Sequence, residues 1–257
     1  MKSTIHLLLI LFILPACSSV DKFDNKNTTV LPVSKVNWEK LNPARGDKSP
    51  QAGTLWGDRK GEVETAFLAK FVDGFSSPPH IHNVSYRAIV IDGLIHNDDP
   101  KAAKMWMPAS SYWTQPAGEA HITSAKGKSN IAFVEIDKGP YLVKPVKQSF
   151  NNGEHPFNIH ASNIIWAKYG RASIVPLWKN SEEKVIGSLL KYKDKIDLSS
   201  KEAQIVVISG EIKANKEPKT VLKPGSLITL KDSKASIWCM NKSDCIVYVK
   251  SEKGFEF

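Results

Sequence analysis

The chain has 257 residues, 42% hydrophobic and 24% charged, a balance that excludes disorder throughout and leaves room for one large or two small domains. Its formal charge is +9, but Lys is scattered over both halves without an Arg-rich, aromatic-interleaved run, so nucleic acid is not an expected partner.

Met1-Lys2, the apolar run Ile5 to Leu14 and the small Ala16 read as an export signal over residues 1–16, too short to remain as a membrane span. Leu14-Pro15-Ala16-Cys17 resembles the lipobox of bacterial lipoproteins, with Pro15 a mild departure. That resemblance implies lipidation of Cys17 and, with Ser18 following, an outer-membrane anchor facing the periplasm. The positive charge would add attraction to an anionic membrane surface. Residues 17–32 are polar and rich in Asn and Lys, so a flexible tether is expected there, with folding to begin near Val33.

Short apolar or alternating runs follow, among them Thr54-Leu55-Trp56, Ala66 to Val72, Tyr86 to Ile91, Ser111 to Gln115 and Ile131 to Ile136. Clusters of Gly, Pro, Asn and Asp separate them, and this punctuation predicts an all-β sandwich or small barrel. Lys101 to Met107 is compatible with one helical turn, stopped by Pro108.

The pattern then repeats. Ile89 to Ile95 matches Val206 to Ile212, Trp56 matches Trp166, and Ile131 to Val134 matches Ile246 to Val249, about 115 residues apart. Two copies of one β-domain are expected, over 33–145 and 146–257, with the boundary in the Pro- and Asn-rich loop from Lys144 to Pro156. Aligned this way, His80 falls on Asp197, His82 on Ser199 and His121 on Ser236, so the second copy has lost the imidazoles. Cys239 and Cys245 flank a polar turn between the expected strands Ala235 to Cys239 and Cys245 to Val249, and in an exported protein they predict a disulfide across a hairpin.

On an extended strand His80 and His82 share a face, roughly 7 Å apart, as two imidazoles gripping one cation need. Gly74, His80-Ile81-His82 and Gly93, followed by Pro116-x-Gly118-x-x-His121, resemble the two motifs of the cupin superfamily. With the repeat, that resemblance implies a bicupin of two tandem jelly-roll β-barrels, the second degenerate. The segments LWGDR, HNDDP and MWMPASSYWTQPAGEAHIT look most like the exported branch of the ChrR-like cupins.

Cupins usually carry a Glu ligand shortly after the second His, where this chain has Tyr86 or Arg87. The implied ligand set is therefore His80, His82 and His121, which leaves positions open on the ion, as in catalytic rather than sealed structural sites. Nitrogen ligation favours a divalent transition metal (Fe, Zn, Ni, Cu or Co) over Mg or Ca. Strand parity puts Tyr86 on the face of His80 and His82, as a candidate proton donor, and turns Arg87 the other way. Phe75, Trp106, Trp113 and Glu119 are candidate pocket walls. His96 is expected to end its strand and bond into the HNDDP turn, and the spacing of His155 and His160 does not call for a metal.

Two functions fit. One is a non-haem-metal oxygenase acting on a small oxygenated organic molecule, and the other is an envelope protein that binds a metal or small ligand without turning it over. By resemblance to such barrels, a homodimer is also expected.

Overall fold

Alternating apolar residues interrupted every few positions by turn-forming ones fit pleated strands and not helices. The structure, a computed structural model, describes residues 27–215 and 219–257 and is almost entirely β. The export signal, Cys17 and most of the expected tether lie outside the described residues.

The first ten strands are β1 (Thr28–Leu31), β2 (Trp38–Lys40), β3 (Gln51–Trp56), β4 (Thr65–Phe71), β5 (His80–His82), β6 (Tyr86–Asp98), β7 (Tyr112–Gln115), β8 (Ile122–Ile136), β9 (Val143–Pro145) and β10 (Phe157–Ile159). They are followed by β11 (Ala167–Tyr169), β12 (Ala172–Lys179), β13 (Val185–Tyr192), β14 (Lys195–Ser209), β15 (Ile212–Ala214), β16 (Leu227–Cys239) and β17 (Cys245–Lys250). One sheet has the order β10-β7-β6-β8-β4-β3-β2, with β5 and β9 paired separately. The other runs β1-β16-β14-β17-β13-β12-β11, with β15 beside β16.

One edge of each sheet is formed by a strand from the other half of the chain. β1, inside the segment expected to be a tether, pairs antiparallel with β16 of the second half, Thr28 facing Leu230. β10, from the second half, pairs with β7 of the first. In each case a short strand covers backbone groups that an open sheet edge would leave unpaired.

The strand at the heart of the first half is longer than its apolar run suggests, because Gly93 carries it round a corner. Gly93 has φ +75°, and a Cβ there would lie 2.2 Å from Asn130 Oδ1. The β6–β8 register shifts on either side of this point, and the strand bends while staying paired through Asp98. Gly210, its counterpart, has φ +83° and would place a Cβ 2.6 Å from Cys245 Sγ. His96 accordingly lies buried within β6 instead of ending it, and neither of its ring nitrogens has a hydrogen-bond partner.

Two further expectations are corrected. Lys101 to Met107 forms no helix: the chain turns at Asp99–Ala102, and Met107 exchanges backbone hydrogen bonds with Ile95. The Cys239–Cys245 disulfide is present, with Cα atoms 5.6 Å apart, but it does not span a hairpin, because β14 runs between β16 and β17.

Each half has its own apolar interior, built around Phe67, Val90 and Val134 in the first and Ile205, Ile228 and Val247 in the second. A third cluster joins them face to face, with Leu68, Ile89 and Phe133 against Leu189, Val206 and Tyr248. This inter-barrel layer holds a buried polar knot. Glu135, fully buried, accepts a 2.6 Å hydrogen bond from the Tyr248 hydroxyl, which accepts one of 2.9 Å from Trp178 Nε1. Lys250, 3% exposed, lies 3.5 Å from Glu135 and also pairs with Glu64. Arg87 does point away from the histidine face: it pairs with Asp137 and stacks over Trp178 with Cζ 3.5 Å from the ring centroid.

Burial pushes the Glu135 carboxyl upward against the pull of Arg87 and Lys250, so desolvation outweighs pairing. A buried pair of this kind adds little to stability while intact, but it is costly to break. Lys250→Ala, which removes one of the two cations beside the buried Glu135, is expected to lower unfolding free energy by about 3 kcal/mol in urea titration. The loss should appear in one cooperative transition, because the core layer is common to both halves.

Candidate metal centre

β5 is short, yet three backbone hydrogen bonds hold its two histidines opposite the second motif, and a fourth ties that motif to the loop beyond it. His80 and His121 exchange N–H···O bonds of 3.0 Å in both directions. The Gly118 N–H donates to the His82 carbonyl at 2.8 Å, and the Phe150 N–H donates to the Gly118 carbonyl at 3.1 Å. Ring centroids of the three histidines are 4.3–5.2 Å apart, and one ligating nitrogen from each lies within 4.8 Å of the others. Among the described residues this is the one such group of His, Cys, Asp and Glu side chains.

All three rings are fixed by backbone carbonyls. Nδ1 of His80, His82 and His121 contacts the carbonyl of Pro78 (3.0 Å), Leu142 (3.2 Å) and Glu119 (3.2 Å), respectively. A carbonyl can only accept, so each Nδ1 carries the proton and each Nε2 presents a lone pair. Metal-binding imidazoles are oriented in this way, with the ring N–H held by an acceptor and the other nitrogen free for the ion. His121 Nε2 is buried without a partner, an orphaned acceptor that a cation would satisfy. The residues present therefore fit a transition-metal ion held by three nitrogens.

Electrostatics agree. Burial lowers the His80 pKa; burial, then the neighbouring His121 and His80, hold His82 well below its usual range. His121 is lowered to about 3, by burial first and His80 second. All three are neutral ligands at neutral pH without needing to lose a proton.

Above the cluster opens a cavity of about 440 Å³. Phe67, Phe71 and Phe75 form one wall, Trp113 and Val134 another, and Arg45 stands at the mouth over the Phe75 ring. A larger hollow of about 650 Å³ lies on the second half around Ser199, Lys201 and Ser233, but it holds no imidazole.

Of the residues expected from sequence, Phe75, Trp113 and Tyr86 line the histidine cavity. Trp106 does not: pairing of Met107 with Ile95 leaves Trp106 on the outer side of β6, its ring 6.2 Å from that of His96. The Glu119 side chain also points elsewhere, into a neighbouring hollow beside Phe150 and His155, and only its carbonyl reaches His121. His155 and His160 lie outside the cluster, His160 capping a short turn through Ser162.

Tyr86 shares the histidine face, with its ring 5.3 Å from His82, but its hydroxyl is turned to Asn97 Oδ1 at 3.1 Å. Asn97 Oδ1 also accepts from Thr123 (2.7 Å), its amide donates to Gln115 (2.9 Å), and Gln115 donates to the Glu119 carbonyl. A buried chain of amides thus joins Tyr86 to the carbonyl that orients His121. Sequence reasoning missed this chain, and it missed Tyr141. The Tyr141 ring stacks on His82 (4.4 Å, 20°), and its hydroxyl lies 3.2 Å from His82 Nε2.

In the second half, Asp197 and Ser236 are opposed across β14 and β16 as His80 and His121 are opposed in the first, and they hydrogen-bond to each other. The aligned positions keep their pairing after losing their ligands.

The sequence profile described as "Domain of unknown function (DUF4437)" matches residues 29–257. The chain belongs to the DUF4437 family. No curated protein matches this DUF4437 chain. Among solved structures it is similar to a "putative dioxygenase" of Nostoc punctiforme, at 13% identity and TM-score 0.67, covering 87% of this chain and 82% of that one. It is also similar to the oxalate decarboxylase of Lactobacillus farciminis in its formate complex (10% identity, 88% and 87% covered, TM-score 0.56). The oxalate decarboxylase of Bacillus subtilis is a third (11% identity, 88% and 77% covered, TM-score 0.54). At these identities the likeness shows the fold, which is the tandem-barrel cupin arrangement.

The depressed histidine pKa values make a signed prediction for the metal-free protein. In the unfolded chain these imidazoles take up protons near pH 6.5, whereas in the folded chain they resist uptake down to about pH 3 for His121. Stability is therefore complete above about pH 6.5 and declines as pH falls through that window. His82→Gln is expected to flatten the fall in melting temperature between neutral and mildly acidic pH, measured by calorimetry with chelator present.

Proposed function

We propose that this DUF4437 protein is a metal-dependent oxygenase of cupin type, acting on a small, largely apolar organic molecule that carries an oxygen donor. The observation that carries this reading is the set of three carbonyl-anchored, neutral imidazoles beside an apolar cavity that His80 and His82 line. His80, His82 and His121 would hold the ion, which when bound supplies Lewis-acid polarisation and, for iron or copper, one-electron chemistry with O2. Three neutral ligands leave the charge of a divalent ion uncompensated, which favours a carboxylate or enolate oxygen on the substrate.

The chain's own residues do the rest. Phe67, Phe71, Phe75 and Trp113 exclude water and orient the apolar body of the substrate. Burial raises the Tyr86 pKa, so the phenol keeps its proton and holds it at Asn97 Oδ1, at the inner end of the cavity. An apolar cavity of this size suits an aromatic or branched substrate better than the small dianion oxalate.

The finer reading is part of the same proposal: a ChrR-like branch of the cupins, an exported chain lipid-anchored through Cys17, and pairing into homodimers. Lipobox resemblance supports the anchor, and the segments LWGDR, HNDDP and MWMPASSYWTQPAGEAHIT support the branch.

Elemental analysis of the signal-less chain is expected to find about one transition-metal ion per chain, lost in His82→Gln and His121→Gln. Oxygen consumption on a panel of diketones and hydroxylated aromatics is expected from the iron-loaded form. Tightly held zinc with no turnover of any metal form would instead make this an envelope binding protein, and no metal in the unsubstituted chain would remove the centre altogether.

A further inference from the structure

We propose that Tyr141 is a further ligand of the centre, binding through its phenolic oxygen; this rests on the metal-centre reading above. In the metal-free protein the Tyr141 hydroxyl donates to His82 Nε2 across 3.2 Å. His82 Nδ1 already gives its proton to the Leu142 carbonyl, so Nε2 is the atom left to face an ion. An ion that bonds this lone pair displaces the phenol's hydrogen bond and meets the phenol oxygen beside it.

The position of Tyr141 is built by the fold. β5 pairs with β9, and this brings the segment just before Val143 against His82. Asn83 pins that segment on both sides of Tyr141, donating to the Pro140 carbonyl at 2.9 Å and accepting from the Leu142 N–H at 2.8 Å. Stacking on the His82 ring fixes the direction of the phenol.

The alternatives are spoken for. Tyr86 shares the histidine face, but its hydroxyl is committed to Asn97. No Asp or Glu joins the histidine cluster among the described residues. Three neutral nitrogens leave an ion short of negative charge, and the phenol oxygen can supply it. On binding, the phenolic O–H bond breaks, a metal–oxygen bond forms and the proton passes to solvent, with no change of oxidation state.

Copper(II) is the probe, because it stands at the top of the affinity order for nitrogen sites. Titrated into the metal-free full chain, it is expected to give one bound copper and a visible phenolate-to-copper charge-transfer band. Tyr141→Phe should keep the copper with affinity weakened about 10-fold or more, and lose the band, whereas Tyr86→Phe should keep both. A purely structural role for Tyr141 would leave the band in place. Bound copper without a band in the unsubstituted chain, or a band that survives Tyr141→Phe, overturns the proposal and leaves the three-histidine centre standing. Failure to bind copper at all overturns both. Should Tyr141→Phe not fold, Tyr86→Phe decides: a retained band identifies Tyr141, the other tyrosine at the cluster, and a lost band excludes it.

Discussion

The site depends on a reciprocal pair of backbone hydrogen bonds between His80 and His121. Neither motif holds its histidines in place alone, because β5 is only three residues long and the second motif is a turn. Joined, they present Nε2 lone pairs to a common point, and the carbonyls of Pro78, Leu142 and Glu119 set the rotation of each ring. The cost of burying His82 and His121 is limited by keeping them neutral, and the Nδ1–H of all three histidines is satisfied by backbone.

The second half shows which parts of this arrangement belong to the barrel and which to the chemistry. Asp197 and Ser236 keep the cross-strand relationship of His80 and His121, and Gly210 keeps the positive φ of Gly93. A barrel with this register folds without imidazoles. What the second copy adds to the first is a face: Leu189, Val206 and Tyr248 close the inter-barrel layer, while the Tyr248 hydroxyl donates to Glu135 and Lys250 pairs with it.

Local signals carried much of this information. Alternating strands, a Gly at each strand corner and a repeat at a fixed offset made the all-β class and the paired barrels legible, while the convergence of His121 on His80 and His82 was implied by the resemblance to the two cupin motifs. Long-range pairing was not. Tyr141 reaches His82 only because β9 lies beside β5, and no spacing in the chain announces that contact. Trp106 and Glu119 were misjudged for a similar reason: side-chain direction in a turn is set by distant pairing, through Met107 in one case and the loop at Phe150 in the other. The buried amides Asn97 and Gln115 were hidden by bland residue types, since a core Asn looks like a turn Asn until its partners are known.

The exchange of edge strands also sets an order of events. Thr28 is among the earliest described residues to leave the ribosome, yet its pairing partner Leu230 is among the last. The first half likewise waits for Phe157–Ile159 before its own edge is covered. Because its partner strand is made so late, the opening strand stays unplaced until nearly the whole chain exists. A polypeptide built this way becomes locked only when its opening strand has found the second half and the strand after the junction has returned to the first.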